Sequence, residues 1–312
     1  MCPSGLRSTL GKRVCGQPYR RFESSRFRHI FGQIEIFSFG ENSNLFQNKF
    51  KGETMANDNT VIELKGITKR YGYGDTESFA LKDFDLTVKR GEFIMIMGPS
   101  GCGKTTLLNT IGLLDRATNG SYVLDGEDVA DISSRRQARL RAKKIGFIFQ
   151  DFNLIPDLSV IENVALPLVY TGHPKTAQLK QASSALERFH LQEREYYFPY
   201  QLSGGQQQRV AIARAIVSDP EIILADEPTG NLDSRSSHIV MEELKAIHEE
   251  GNTIIMVTHN PSLTTYATRV INMLDGQIDT DVKTVSDQNL PKPVEERKTT
   301  RKPRAKKGGR KR

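Results

Sequence analysis

"FIMIMGPSGCGKTTLLNTI", residues 93–111, runs from an unbroken apolar stretch through a glycine-rich turn into residues with helical apolar spacing. A short apolar run of this kind reads as a strand, and the segment that follows reads as a helix. The join satisfies G-x-x-x-x-G-K-[ST] over 98–105, in the strand–loop–helix setting that identifies a phosphate-binding loop. Gly98, Pro99, Ser100, Gly101, Cys102 and Gly103 are expected to wrap phosphates, chiefly through backbone amides. Lys104 neutralises the β- and γ-phosphates, the Thr105 hydroxyl ligates Mg²⁺, and Thr106 completes the helix start.

Outward from this loop the pattern remains α/β. "VIELKGI" (61–67), "FALKDFDLTV" (79–88) and "GEFIMIMG" (91–98) read as strands, "KTTLLNTIGLL" (104–114) as a helix, and "GSYVLDGEDV" carries an Asp-Gly turn suited to a hairpin. "EIILAD" (221–226) and "NTIIMVT" (252–258) are continuous apolar runs, as expected of parallel strands buried on both faces, with the helical "SRSSHIVMEELKAIHEE" between them. Residues from about 131 to 220 read as mostly helical, an inserted lobe.

"IILADE" ends in two acids. At the carboxyl end of a parallel strand Asp226 is placed to hold Mg²⁺ and Glu227 to polarise an attacking water. "MVTH" repeats this geometry, so His259 is expected to reach a γ-phosphate, and the other five histidines are read as structural. "QLSGGQQQRV" (201–210) places a serine and two glycines at a helix start, which suits an anion, yet it carries no lysine.

These motifs, in this order, resemble the ATPase subunits of ABC transporters, and the resemblance covers residues 60–280. It implies a P-loop NTPase (RecA-like) fold: a parallel sheet core with an antiparallel β subdomain and an inserted α-helical subdomain at about 151–215. It also implies that Tyr71 in "KRYGYG" stacks on adenine, that Gln150 senses Mg²⁺ and water, and that Asp233 bridges two active sites. Ser203, Gly204, Gly205 and Gln206 would then close over the ATP of a second subunit, making the ATP-bound form a homodimer. "LLNTIGLLDRATNGSYVLDGEDV" and "IFQDFNLIPDLSVIENVALPLVYTG" are similar to the macrolide-export and lipoprotein-release branch, which implies an integral membrane permease as partner and a peripheral place on the cytoplasmic face of the cell membrane. Two other readings use the same motifs. A ribosome-acting switch ATPase would resemble two fused ATP-binding domains, whereas this chain has one; coupling to cell-wall remodelling stays open.

The formal charge of +7 divides unevenly. Residues 291–312 hold 11 Lys/Arg against 2 Glu and residues 1–54 hold 9 against 4, which leaves −7 for residues 55–290. An acidic middle gives no reason to expect nucleic acid on the core. Residues 1–54 show no sustained period and are expected to be disordered or untranslated, with Met55 the start; a targeting peptide is the competing reading. The Pro-punctuated basic tail, 289–312, is expected to be disordered; a solvated charge run is the ordinary reading, and adhesion to anionic lipid at about 1 kcal/mol per basic side chain is the alternative. Three scattered cysteines suggest neither disulfides nor a metal cage, in keeping with a reducing cytoplasm. Apolar runs are far shorter than the ~18 residues of a membrane span.

Two surface expectations complete the reading. The segment "DFNLIPDLSVIENVALPL", with Phe152, Leu154, Ile155 and Leu158, is expected to dock a membrane partner. Cys102 reads first as a small residue filling a permissive position in the loop, and alternatively as a thiol facing the phosphate site, where alkylation would block ATP by bulk.

Overall fold

Short apolar runs that would be too greasy for a one-sided sheet form the centre of a six-stranded sheet, where both faces are covered. The structure is a computed structural model and describes residues 59–72 and 77–284. The expectations for residues 1–54, for a start at Met55, and for the tail at 289–312 with its lipid contact lie outside the described residues.

The strands are β1 (Thr60–Tyr71), β2 (Ser78–Lys89), β3 (Phe93–Met97), β4 (Asn119–Leu124), β5 (Glu127–Asp128), β6 (Ile145–Ile148), β7 (Ile222–Asp226), β8 (Thr253–Val257), β9 (Arg269–Leu274) and β10 (Gln277–Lys283). The helices are α1 (Lys104–Ile111), α2 (Ser134–Lys144), α3 (Val160–Tyr170), α4 (Lys175–Arg188), α5 (Gly204–Ile216) and α6 (Ser234–Glu249). One sheet is antiparallel with order β2-β1-β4-β5; the other has order β10-β9-β3-β8-β7-β6 and is parallel except at β10.

Side-chain alternation along β3 explains how the layers join. Ile94 and Ile96 belong to the apolar cluster that also holds Ile62, Leu64, Phe84 and Leu107, from the antiparallel sheet and α1. Phe93 and Met95 belong to the opposite cluster, with Val164, Leu186, Ile212 and Leu244 from α3, α4, α5 and α6. Two-sided burial of this kind fixes register, because a one-residue slip would exchange the two sets. The Asp125-Gly126 turn joins β4 to β5 with φ of 50° and 75°, as the Asp-Gly pair requires.

The structure corrects several expectations. The stretch at 131–220 is mostly helical, as expected, but it also contains β6, which pairs in parallel with β7 from Ile145↔Ile222 to Ile148↔Ala225. Four residues are too few to show a period, which is why the strand is hidden between helices. α1 stops at Ile111, three residues short of the expected end, where Gly112 follows. The hairpin of β9 and β10 gave no signal that was read, although Asp275-Gly276 repeats the turn of 125–126. Among the described residues no helix is long and apolar enough to cross a membrane.

The expected docking segment is largely an internal brace. Leu158 is buried in the core, and Leu154 packs against the apolar cluster of the helical layer. Asn163, wholly buried, accepts from the Ile155 amide at 2.7 Å and donates to the carbonyls of Ile155, Leu158 and Ser159, each at 3.1 Å, so the segment is folded back onto α3. Core packing explains Leu158 and in part Leu154, whereas Phe152 and Ile155 stay half-buried.

Candidate functional site

Four neighbouring strands, β3, β8, β7 and β6, point their carboxyl ends the same way. Parallel sheets place ligands at that edge. β3 delivers the glycine loop, β8 delivers His259, β7 delivers Asp226 and Glu227, and β6 delivers Gln150.

The loop turns on glycines at φ of 150° (Gly98), 82° (Gly101) and 104° (Gly103). At Gly103 a side chain is excluded twice over, since its Cβ would lie 2.3 Å from the Ala80 carbonyl oxygen. Lys104 opens α1 and is nearly buried; its Nζ donates to the carbonyls of Gly98 and Pro99, both at 2.8 Å. Thr105 is exposed, and Thr106 half-buried, in the first turn.

For Cys102 the structure favours the small-residue reading over a thiol open to the site. Its side chain is buried among the apolar residues between the sheets, with Sγ 3.8 Å from Lys104 Nζ, so the thiol is not presented to solvent at the loop's mouth. Its backbone still belongs to the loop, and its carbonyl accepts from the Gly276 amide at 3.0 Å.

Asp226 ends β7. Burial, and then the negative charge of Glu227, hold its carboxyl above the usual carboxylate range, while Lys104 opposes the shift. Glu227 turns with φ of 44°, unusual outside glycine, and its amide donates to the Val257 carbonyl at 2.9 Å. The turn carries its carboxylate back to His259, whose Nδ1 lies 3.0 Å from Oε2. Both residues border a cavity of about 610 Å³ with Thr229, Gly230, Leu232 and Tyr266. Gln150 approaches the same turn, since a Cβ on Gly230 would meet its Nε2 at 2.8 Å.

Other expected residues lie in separate places. Tyr71 ends β1, is 44% exposed, donates its hydroxyl to Asp115 Oδ2 at 3.0 Å, and has the Lys69 ammonium 5.1 Å from its ring centroid. Asp233 caps α6, accepting from the amides of Arg235 and Ser236 at 3.0 Å and the Ser236 hydroxyl at 2.7 Å; those bonds, Ser236's first, lower its carboxyl pKa. Ser203 caps α5: its amide donates to Gln206 Oε1 at 3.0 Å, and its hydroxyl accepts from the Gln206 amide at 3.4 Å. Gly204 stands beside them in the first turn, and a Cβ on Gly205 would meet Ser236 Oγ at 2.8 Å, so α5 and α6 begin close together. Among the described residues no hydrogen bond joins residues 203–206 to residues 98–106.

The residues fit a magnesium nucleotide. α1 begins without a side-chain cap and without an acid in its first turn, which leaves its amides and dipole uncovered for an anion. Thr105, Asp226 and Gln150 offer oxygen donors of the kind Mg²⁺ prefers. Among the described residues no group of three or more His, Cys, Asp or Glu is placed for a metal, as suits an ion that completes its shell with phosphate and water.

Gln208 and Arg214, further along α5, were missed as members of this site. Gln208 lies on the helix face buried with Ala211, Ile212 and Ala215, and a polar residue on a buried stripe was the available signal. Asp115, which tethers Tyr71 from 44 residues away, had none.

The comparisons with known proteins agree with this geometry. The model of the ABC transporter family matches residues 81–230. An uncharacterised ABC transporter ATP-binding protein of Methanocaldococcus jannaschii is 50% identical over 218 residues, 70% of this chain and 97% of that protein. The macrolide export ATP-binding/permease protein MacB of Aggregatibacter actinomycetemcomitans is 48% identical over 223 residues, 72% of this chain; the chain spans about a third (35%) of that relative's length. Among solved structures, the dimeric post-hydrolysis state of the ATP-binding cassette MJ0796 with ADP and Pi is 43% identical, covers 71% of this chain and 98% of that one, and superposes with a TM-score of 0.66.

Proposed function

This chain belongs to the ABC transporter family, and from that premise we propose that it drives a membrane machine of the macrolide-export and lipoprotein-release type. It is an ATP-binding subunit and an ATPase. Two copies close on two ATP molecules, each held between Lys104 of one chain and Ser203, Gly204, Gly205 and Gln206 of the other. An integral membrane permease is the partner, and the subunit sits peripherally on the cytoplasmic face of the cell membrane.

The carrying observation is the separation of two helix starts built for an anion. One opens α1 at Lys104, beside the strand ends that carry Asp226, Glu227 and His259; the other opens α5 at Ser203 and has no lysine. With Ser203 and Gln206 capping each other, the first-turn amides of Gly204 and Gly205 and the helix dipole are what this start offers an anion, and we read phosphate held by another chain as the group that completes it.

Within that site Thr105, Asp226 and Gln150 would hold Mg²⁺, which would supply charge neutralisation at the phosphates. Glu227 takes the proton of the attacking water, and His259 fixes the carboxylate that does so. Tyr71 stacks on the adenine, and Asp233 sets the start of α6 at the boundary between the two sites.

The branch is supported by the 48% identity with the macrolide export relative, whose name also includes a permease. Its test is purification of the full chain from detergent-solubilised membranes with the candidate permease, followed by ATPase assay. A stoichiometric polytopic protein that stimulates hydrolysis is expected. Co-purification with ribosomes and no membrane protein overturns the reading.

A further inference from the structure

Gln208 is wholly buried, and its Nε2 is aimed at two main-chain carbonyls from different loops. It donates to Pro228 O at 2.7 Å and reaches Phe149 O at 3.4 Å, the first contact being the stronger. Pro228 directly follows Glu227, and Phe149 directly precedes Gln150. Both neighbours are acceptors, so the amide can face them only through its nitrogen, and its Oε1 is left buried without a partner. A buried polar atom kept without a partner costs stability.

We infer that Gln208 is a positioning residue for hydrolysis: through one side-chain amide it fixes the main chain on either side of the site, one residue from Glu227 and one from Gln150. The inference rests on the roles proposed above for those two residues. A second anchor on the same helix supports it. Arg214 donates to Asn153 O at 2.6 Å and Phe152 O at 2.8 Å, holding the far side of the Gln150 loop where Phe152 and Asn153 both turn at positive φ. α5 therefore sets the loop from two points, and Gln208 extends the hold to the Glu227 turn, beside the bond from Asn231 Nδ2 to Gln150 O at 3.2 Å. Displacing a reacting group by about 1 Å costs on the order of 100-fold in rate, so a main-chain anchor one residue away has leverage on turnover.

The test measures ATP hydrolysis by the full chain, with nucleotide affinity and the thermal midpoint measured in parallel. Gln208→Met keeps length and removes the donor. It is expected to lower kcat by about 10- to 100-fold with KM within about twofold and the midpoint near that of the wild type. Wild-type kcat overturns the inference; so does a loss of kcat that comes with equal losses of affinity and midpoint, because that is a folding role. Gln208→Glu gives a second readout. Ionised, it presents a carboxylate to two carbonyls; protonated, it regains a donor, and burial raises its pKa. Its rate relative to wild type is expected to rise as pH falls from about 8 to about 6, and a ratio independent of pH overturns the inference. Glu227→Gln in the same series separates the levels: if it retains wild-type turnover, the site assignment itself fails, whereas loss there with none in Gln208→Met defeats only the anchor.

Discussion

The carboxylate of Glu227 lies 3.0 Å from Nδ1 of His259, although 32 residues separate them in the chain. Strand register brings them together, because β7 and β8 are adjacent and Asp226 pairs with Val257. Glu227 is the more sheltered of the two; the imidazole is 69% exposed against 21% for the carboxylate. A carboxylate tethered through one oxygen keeps the other available to accept a proton, which is the arrangement a general base requires.

Replacing the proposed base while keeping its shape separates binding from turnover. Glu227→Gln is expected to lower hydrolysis by about 10²- to 10⁴-fold while ATP still binds. Uncleaved ATP then stabilises the two-chain form by mass action, so the variant runs as a monomer alone and as a dimer with ATP in light-scattering chromatography. Lys104→Ala stays monomeric in both conditions. Adding Ser203→Arg to Glu227→Gln puts bulk at the start of α5, and a double variant that still dimerises with ATP defeats the shared site.

Asp226 carries a stability cost that depends on pH in a definite direction. Burial raises its carboxyl above the ordinary range, so the folded state holds the proton more tightly than the unfolded chain does. Its contribution is therefore complete below the unfolded value of about 4 and is lost as pH rises through the raised folded value. Asp226→Asn cannot ionise. Without Mg²⁺ it is expected to melt above the wild type at pH 7.5, with the gain disappearing toward pH 4, while Mg-dependent hydrolysis drops by about 10- to 100-fold. A gain equal at both pH values contradicts the assignment.

Leu158 is expected to behave as a core residue and not as a contact for a partner. Leu158→Ser should lower unfolding free energy by about 2–5 kcal/mol, since it removes a buried side chain and leaves a polar group in its place. Denaturant titration of the variant measures this directly. Unchanged stability, with loss of permease binding alone, would return the segment to a docking role.

The strand–loop–helix unit at 93–111 was legible because glycine spacing, apolar runs and helical period agree there. The burial of β7 and β8 was legible for the same reason: an unbroken apolar run has only one comfortable place in an α/β domain. β6 was hidden by its length, and the fold-back of residues 154–159 by the fact that Asn163, the residue that enforces it, looks like any polar helix residue until its three carbonyl partners are brought near. Cys102 was open for a different reason. Motif spacing locates the backbone of the loop, but which way a small side chain points depends on packing between two sheets.

The outermost strand, β10, bears on how this protein behaves at high concentration. An open strand edge invites a strand from another molecule, and native chains blunt such edges with charge. β10 reads Gln-Ile-Asp-Thr-Asp-Val-Lys, and all of it except Ile278 is exposed. Arg269 grips Asp281 through two bonds of 2.8 and 2.7 Å, which lowers that carboxyl's pKa and keeps it ionised well into acid. An identical strand arriving antiparallel or in parallel would bring carboxylates at 279 and 281 toward like charges. The rim of the sheet thus carries charge that works against edge-to-edge strand pairing at neutral pH.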